Sequence, residues 1–384
     1  MEFKRDLDLF DFTDKKSLFL FGPRATGKTS LIKRQLSDRA FKIDLLKSQN
    51  YLPLSQQPSD LESMIAAQEK DLIVIDEIQK IPALLDEVHR LIEEKKIRFL
   101  LTGSSARKLK RHDANMLGGR ASQTSLFPLT WHEISQVTDF DLERYLRFGS
   151  LPRVYLAEDP VEELSDYVDV YLKEEIMAEA AVRNLPAFSR FLKLAALSSG
   201  EQLNYANIAG DVGLSAKTIR SYFEILDDTL LGFELPVWRS GKNRKAVATS
   251  KHYLFDCGVM HALSGTKYLD RNSDLYGRSF EHFILNEVRA YRSYARKRWD
   301  LSYWRTHDGD EVDLVIDDRI AIEFKSTRHV TGSDLKGLRK IRDEATWEKL
   351  IIVSQDPISK LADNILSLDW QSFLGRLWGH GFDA

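Results

Sequence analysis

LFLFGPRATGKTSLIKRQL, residues 18–36, decides how the first third of the chain is read. Four apolar residues, Leu18 to Phe21, enter a glycine-framed turn, and a helix-like segment follows from Thr29 to Leu36. A short apolar run bounded in this way reads as a strand buried on both faces. Between strand and helix, Gly22, Pro23, Arg24, Ala25, Thr26, Gly27, Lys28 and Thr29, followed by Ser30, fit the spacing G-x-x-x-x-G-K-[ST] at every fixed position. Glycines at those points let backbone N–H groups turn inward around phosphate oxygens. The helix that follows points its positive dipole end at the same place.

The expected ligand is therefore ATP with Mg²⁺. Lys28 reaches the β- and γ-phosphates, and the Thr29 hydroxyl holds the metal. Further along, DLIVIDEIQK gives a second buried strand, Leu72 to Ile75, ending in two carboxylates. Asp76 is expected to position Mg²⁺ through water, and Glu77 to polarise the attacking water. IRFLLTGSSA gives a third strand, Ile97 to Leu101, tipped by Thr102 and Ser104. Either hydroxyl can stand between the γ-phosphate and that water, and Ser104 is the preferred one. Other strands are expected near Phe41–Leu46 and Gln123–Phe127.

The order of these three strands resembles the AAA+ class of P-loop ATPases. That resemblance implies a finger arginine reaching the γ-phosphate of its own or a neighbouring subunit. Arg120, after the Gly118–Gly119 pair, is the candidate, with Arg107 and Arg111 as weaker ones. A finger acting in trans implies a homo-oligomer, a hexameric ring.

Whole-chain properties bound the rest. At 384 residues there is room for several domains. A formal net charge of −3 rules out an argument for nucleic acid from overall basicity, so a DNA surface has to be local. Cys257 is the single cysteine, which excludes an internal disulfide and fits a reducing cytoplasm. No apolar run approaches the roughly 18 residues of a membrane helix.

After a Gly-Ser-Leu-Pro break at Gly149–Pro152, a helical segment is expected to pack on the first domain. Three further helices follow: one over FSRFLKLAALSS, one ended by Gly213, and one capped by Ser215. On the third, Ile219, Phe223 and Leu226 share one face, and Lys217 and Arg220 lie on another. A strand, a basic turn with Arg239, Lys242, Arg244 and Lys245, and a second strand come next. That order reads as a winged helix able to contact DNA phosphates. A protein partner is the competing use of such a module.

The last region reads as helix, three strands, helix, strand. Asp313 sits among Val312, Leu314 and Val315, and Glu323 and Lys325 flank Phe324 on the next strand. Charges buried in apolar strands have to pair or bind a metal. Asp313 and Glu323, with Glu281 from the preceding helix, form a set of oxygen ligands suited to Mg²⁺, with Lys325 orienting water. The region resembles the PD-(D/E)xK nuclease fold, with Glu311-Val312 preceding the aspartate instead of proline. VIDEIQKIPALL, LTGSSA, GSLPRV, HYLFDCGV, GRSFEHFILNEV and IEFKS occur in one order along residues 15–355. Together they resemble a prokaryotic family of AAA+-like ATPases with a C-terminal winged helix and a nuclease-like domain. The expected organisation is an α/β multidomain chain. It comprises a P-loop domain at 1–140, a helical connector at 141–185, a winged helix at 186–265 and a restriction-endonuclease-like α/β domain at 266–384. The expected function is ATP-driven work on duplex or branched DNA. An ATP-gated endonuclease and a nucleotide switch for protein partners are the alternatives. The tail after Pro357 carries no reading.

Overall fold

The structure is a computed structural model that describes residues 3–105, 107, 109, 116–172, 184–239 and 249–382. The first part is a five-stranded parallel sheet in the order β2-β3-β4-β1-β5. Its strands are β1 (Ser17–Phe21), β2 (Ala40–Asp44), β3 (Leu72–Asp76), β4 (Arg98–Gly103) and β5 (Ala121–Ser125). The central strands are continuous apolar runs because both faces are covered. Alternate residues feed two separate cores. Leu18, Leu20, Val74 and Leu100 meet Leu31, Ile32 and Leu36 of α1 (Lys28–Leu36). Phe19, Phe21, Ile75 and Leu101 meet Leu84, Leu85, Val88 and Leu91 of α2 (Leu84–Lys95).

The middle contains α3 (Leu142–Phe148), α4 (Pro160–Asp166), α5 (Leu185–Leu197), α6 (Tyr205–Val212) and α7 (Ala216–Asp228). An antiparallel pair follows, β6 (Gly232–Leu235) and β7 (Lys251–Leu254), and then α8 (Cys257–Ser264). The Ser215 hydroxyl caps α7 by accepting from Thr218 N–H, and Gly213 takes the left-handed conformation after α6 (φ 76°). Ile219, Phe223 and Leu226 are buried as the spacing requires.

Packing ignores two of the boundaries expected from sequence. Leu151, Val154, Leu164 and Tyr167 share one core with Phe188, Phe191, Phe223 and Met260. The stretch from Leu151 to Tyr167 is thus part of the same body as the helices after it. The Gly149–Pro152 break is a buried joint. Ser150 N–H donates to Asp256 at 2.9 Å, and Leu129 N–H donates to the Ser150 carbonyl at 2.9 Å. A Cβ on Gly149 (φ 70°) would lie 2.0 Å from an Asp256 oxygen.

The C-terminal part is α9 (Asp274–Tyr294), the antiparallel strands β8 (Leu301–Arg305), β9 (Glu311–Ile316) and β10 (Ile320–Lys325), α10 (Lys336–Ile341) and β11 (Lys349–Ser354). β11 runs parallel to β10, and the tail adds β12 (Lys360–Ala362), β13 (Ile365–Asp369) and α11 (Trp370–Trp378). The sheet order is β12-β13-β11-β10-β9-β8. Phe373, Leu374 and Leu377 of α11 share a core with Phe3, Leu129, Ile134, Tyr145 and Phe283, so the last helix packs with the start of the chain.

Candidate nucleotide site and C-terminal acidic cluster

The glycine-framed loop lies at the C-terminal end of β1. Gly27 is left-handed (φ 95°), as is Ala25 (φ 64°). Gly22 approaches β5 so closely that a Cβ would sit 2.5 Å from the Leu126 carbonyl. The buried Lys28 ammonium donates to the carbonyls of Gly22 (2.6 Å) and Pro23 (3.0 Å), which places it across the mouth of the loop. Two outside groups hold the loop's backbone. Arg5 donates to the Thr26 carbonyl at 2.7 Å, and the Tyr167 hydroxyl to the Arg24 carbonyl at 3.4 Å. Beside the loop is a cavity of about 180 Å³ bounded by Phe3, Gly27, Ser30, Leu31, Leu129 and Pro152.

β3 and β4 bring the remaining groups to the same end. Thr29 Oγ1 lies 3.4 Å from Asp76 Oδ2, and the Thr102 hydroxyl donates to the other oxygen of Asp76. A hydroxyl and a carboxylate side by side suit a hard cation. Lys42, absent from the sequence reading, pairs with Asp76 at 2.6 Å; its side chain is one-third exposed and free to turn outward.

Glu77 sits in the left-handed region (φ 64°) just past β3. Its Oε2 accepts from Gln79 Nε2 at 2.5 Å, and the Ser104 hydroxyl lies 3.4 Å from the same oxygen. Gln79 also donates to Ser104 at 3.2 Å. Ser104 is therefore the hydroxyl beside the Glu77 carboxylate, whereas the Thr102 hydroxyl accepts from Glu77 N–H at 3.3 Å. Gln79 is another residue the sequence reading missed. Its one signal was an amide two residues after the acidic pair, beside Gly103, where a Cβ would meet Gln79 Oε1 at 2.8 Å.

Arg120 is elsewhere. It precedes β5, and Ala121 pairs with Ser17 at the start of β1. Four strand residues, about 13 Å, separate that level from the loop. Arg120 pairs instead with Glu93, which lowers the Glu93 pKa. The geometry removes a role on the nucleotide of its own subunit. Arg107 is buried and pairs with Asp228 at the end of α7 (3.3 Å). Lys217, Arg220 and Arg239 are exposed, with Arg220 over the Tyr205 ring at 5.2 Å. Arg111, Lys242, Arg244 and Lys245 lie outside the described residues.

In the C-terminal part, Asp313, Glu323, Lys325 and Glu281 do converge, below an open cavity of about 720 Å³. Asp313 Oδ2 accepts from Phe324 N–H at 2.8 Å, and Lys325 pairs with Glu323 at 2.6 Å. Burial, then repulsion from Glu323, raises the Asp313 pKa. Burial also lifts Glu323 to about 7, against the pull of Lys325. One side chain changes the expected chemistry. Lys251 on β7 places its ammonium 2.9 Å from Glu281, 2.5 Å from Glu311 and 3.7 Å from Asp313. Tyr253, two residues on and facing the same way, donates to Glu281 as well. The Lys251 side chain is 4% exposed, so unlike Lys42 it has no route outward. Among the described residues, no group of three or more acidic, histidine or cysteine side chains is placed to hold a metal ion. These residues do not fit the Mg²⁺ centre expected for Glu281, Asp313 and Glu323, because the fixed Lys251 ammonium already pairs with Glu281 and Asp313, and Lys325 with Glu323.

Among the described residues no helix is long and apolar enough to cross a membrane. Residues 14–135 match a family model described as AAA domain, and residues 139–270 and 276–369 match two domains of unknown function, DUF8612 and DUF4143. An uncharacterized protein of Mycobacterium tuberculosis is 27% identical over 347 residues, covering 88% of this chain and 76% of that protein. Another from Methanocaldococcus jannaschii is 24% identical over 430 residues, covering 97% and 87%. Among solved structures, the Aeropyrum pernix Orc1 protein in complex with DNA aligns over 65% of this chain and 87% of that one, at 14% identity and a TM-score of 0.30. The match over residues 14–135 and the loop geometry agree, and this part of the chain is similar to P-loop domains of the AAA type.

Proposed function

We propose that the chain binds and hydrolyses ATP at the β1 loop and couples that cycle to DNA. The supporting observation is the convergence of Lys28, Thr29, Asp76, Glu77 and Ser104 at one end of the parallel sheet. Lys28, released from the Gly22 and Pro23 carbonyls, neutralises the β- and γ-phosphates, and the loop N–H groups cradle them. The apolar cavity beside Ser30 and Leu31 takes the base. Thr29 and Asp76 would hold Mg²⁺, which would supply charge neutralisation on the phosphates. Glu77 accepts a proton from the water that attacks the γ-phosphorus, and Ser104 orients that water. ADP then leaves as phosphate forms.

The clasp of Gln79 on Glu77 favours a gated ATPase. Until Gln79 lets go, the carboxylate is engaged and turnover is slow. Arg120, at the end of β5 opposite the loop, would act on a neighbour's nucleotide in a ring, a hexamer in the simplest case. Helices α5–α7 with β6 and β7 read as a winged helix, and Lys217, Arg220 and Arg239 as its phosphate contacts. The C-terminal part reads as a nuclease-like fold that does not cleave, since Lys251 supplants the metal. A single buried cysteine suits a cytoplasmic setting. The test is steady-state ATPase with and without single-stranded, duplex and four-way-junction DNA, with Lys28→Ala as blank. A several-fold rise with one form supports coupling. A rate indifferent to every DNA form sinks it and leaves a switch that acts on proteins.

A further inference from the structure

A second basic surface is built from other residues than Lys217, Arg220 and Arg239. Between the outer edge of β5 and the end of α9 is a cavity of about 540 Å³. Its cationic lining includes Arg289, Arg292, Arg296 and Arg298, and no carboxylate among the described residues lines it. None of these four arginines pairs with an acidic side chain among the described residues. The chain does not lack acids: it has 58 against 55 basic residues. Elsewhere it pairs arginines readily, as Arg90 does with Glu62, Glu87 and Glu94.

Ring contacts hold two of the four in place. Arg289 lies over the Phe233 ring at 3.2 Å and Phe127 at 5.1 Å, and Arg296 over Phe12 at 3.7 Å. Burial, and then the Arg292 charge, draw the Arg289 pKa down to about 9. Such a group gains from an anion brought to it. The walls are fixed to each other: the Thr124 and Ser293 hydroxyls bond at 3.0 Å, and Phe127 N–H donates to Tyr294 at 3.1 Å.

We propose that this cavity seats the phosphodiester backbone of a nucleic-acid strand. Arg289 to Arg296 spans seven residues along and just past α9, on the order of 10 Å. At about 3.4 Å of axis per charge on one strand, that length faces roughly three successive phosphates. A lone phosphate would use only part of it. The strand would lie against β5, which pairs directly with the β1 strand that carries the ATP loop. DNA engagement and nucleotide state would then bear on neighbouring strands of one sheet.

This inference rests on the reading that the protein acts on DNA. It is tested by fluorescence anisotropy of labelled duplex and single-stranded oligonucleotides, using the full chain over a range of salt. The Arg292→Ala/Arg298→Ala variant removes two exposed cations distant from the ATP loop, and its thermal melt should match wild type. The expected result is weaker binding, with the slope of log K against log salt reduced by about 1.8 for duplex or about 1.4 for single strands. Wild type that binds DNA with a slope unchanged in the variant overturns this site alone. Wild type that binds no DNA overturns the DNA reading and the site together.

Discussion

Arg5 is the most consequential side chain outside the loop, and its removal gives a quantitative test. Its guanidinium is 7% exposed and lies 2.9 Å from the fully buried Glu133 carboxylate, an ionic contact more than an aligned hydrogen bond. It also donates to the carbonyls of Thr26 and Phe127, both at 2.7 Å, and to the Tyr294 hydroxyl at 3.2 Å. Arg5→Ala strands Glu133 as a buried charge without its cation. Breaking a buried pair from one side costs about 3–5 kcal/mol. The two carbonyls lose charged donors, which overlaps with that figure, so a total near 4 kcal/mol is expected. That is a large part of the ~5–15 kcal/mol that holds a domain folded. Arg5→Lys keeps the charge but loses the fork, and should cost about half as much. In Arg5→Met/Glu133→Gln both charges go together, and the double variant should recover about 2 kcal/mol of the summed single losses. Urea unfolding of wild type, Arg5→Ala, Arg5→Lys, Arg5→Met, Glu133→Gln and the double variant, followed by tryptophan emission and far-ultraviolet circular dichroism, measures these losses and the cycle. An Arg5→Ala loss below about 1 kcal/mol, or strictly additive singles, would refute the reasoning. ATP affinity should fall in Arg5→Ala as well, because the Thr26 carbonyl loses its anchor.

Three other outcomes are expected. Glu77→Gln should retain ATP binding and lose at least 100-fold in hydrolysis, whereas Gln79→Ala should raise the basal rate by freeing Glu77; single-turnover assays separate the two. Wild type should show no Mn²⁺ bound in an Asp313-dependent way by electron paramagnetic resonance, and Lys251→Gln should create such a site; binding in wild type that Asp313→Asn removes would restore the metal centre. Burial lifts the Glu287 pKa to about 8, far above the roughly 4.3 of an unfolded glutamate. Its folded form thus prefers the proton, and the associated stability is complete below about pH 4.3 and lost as pH rises through 8. Melting temperatures should fall between pH 7 and 8.5, and less so in Glu287→Gln.

The ATP loop was legible because its chemistry is local. The glycines, Lys28 and Thr29 follow one another in sequence, and buried parallel strands announce themselves as unbroken apolar runs. Asp76 and Glu77 were legible for the same reason. For Arg120 the sequence left its own nucleotide and a neighbour's both open, because chain order says that a residue adjoins a strand, not which end of the sheet it reaches once that strand runs parallel to β1. Gln79 resembled any surface amide until Gly103 opened the space for it. Lys251 carried no warning: it is 30 residues from Glu281 and 60 from Glu311, and only pairing of distant elements makes it their counter-ion. The tail was unreadable because β13 and α11 acquire their roles from β11 and α9, which they cover.

That tail bears on how the protein is made. Trp378 on α11 donates to Glu287 at 2.9 Å, Glu287 accepts from Trp131 N–H at 2.6 Å, and Phe3 belongs to the same cluster as Phe373. On a translating ribosome the ATP loop emerges more than three hundred residues before the helix that finishes this cluster. The nascent P-loop domain must therefore wait, with the Phe3 and Trp131 side of its surface uncovered, until the last helix has left the exit tunnel. A premature stop near residue 365 would strand the chain in that half-covered condition, a natural substrate for chaperones and proteases.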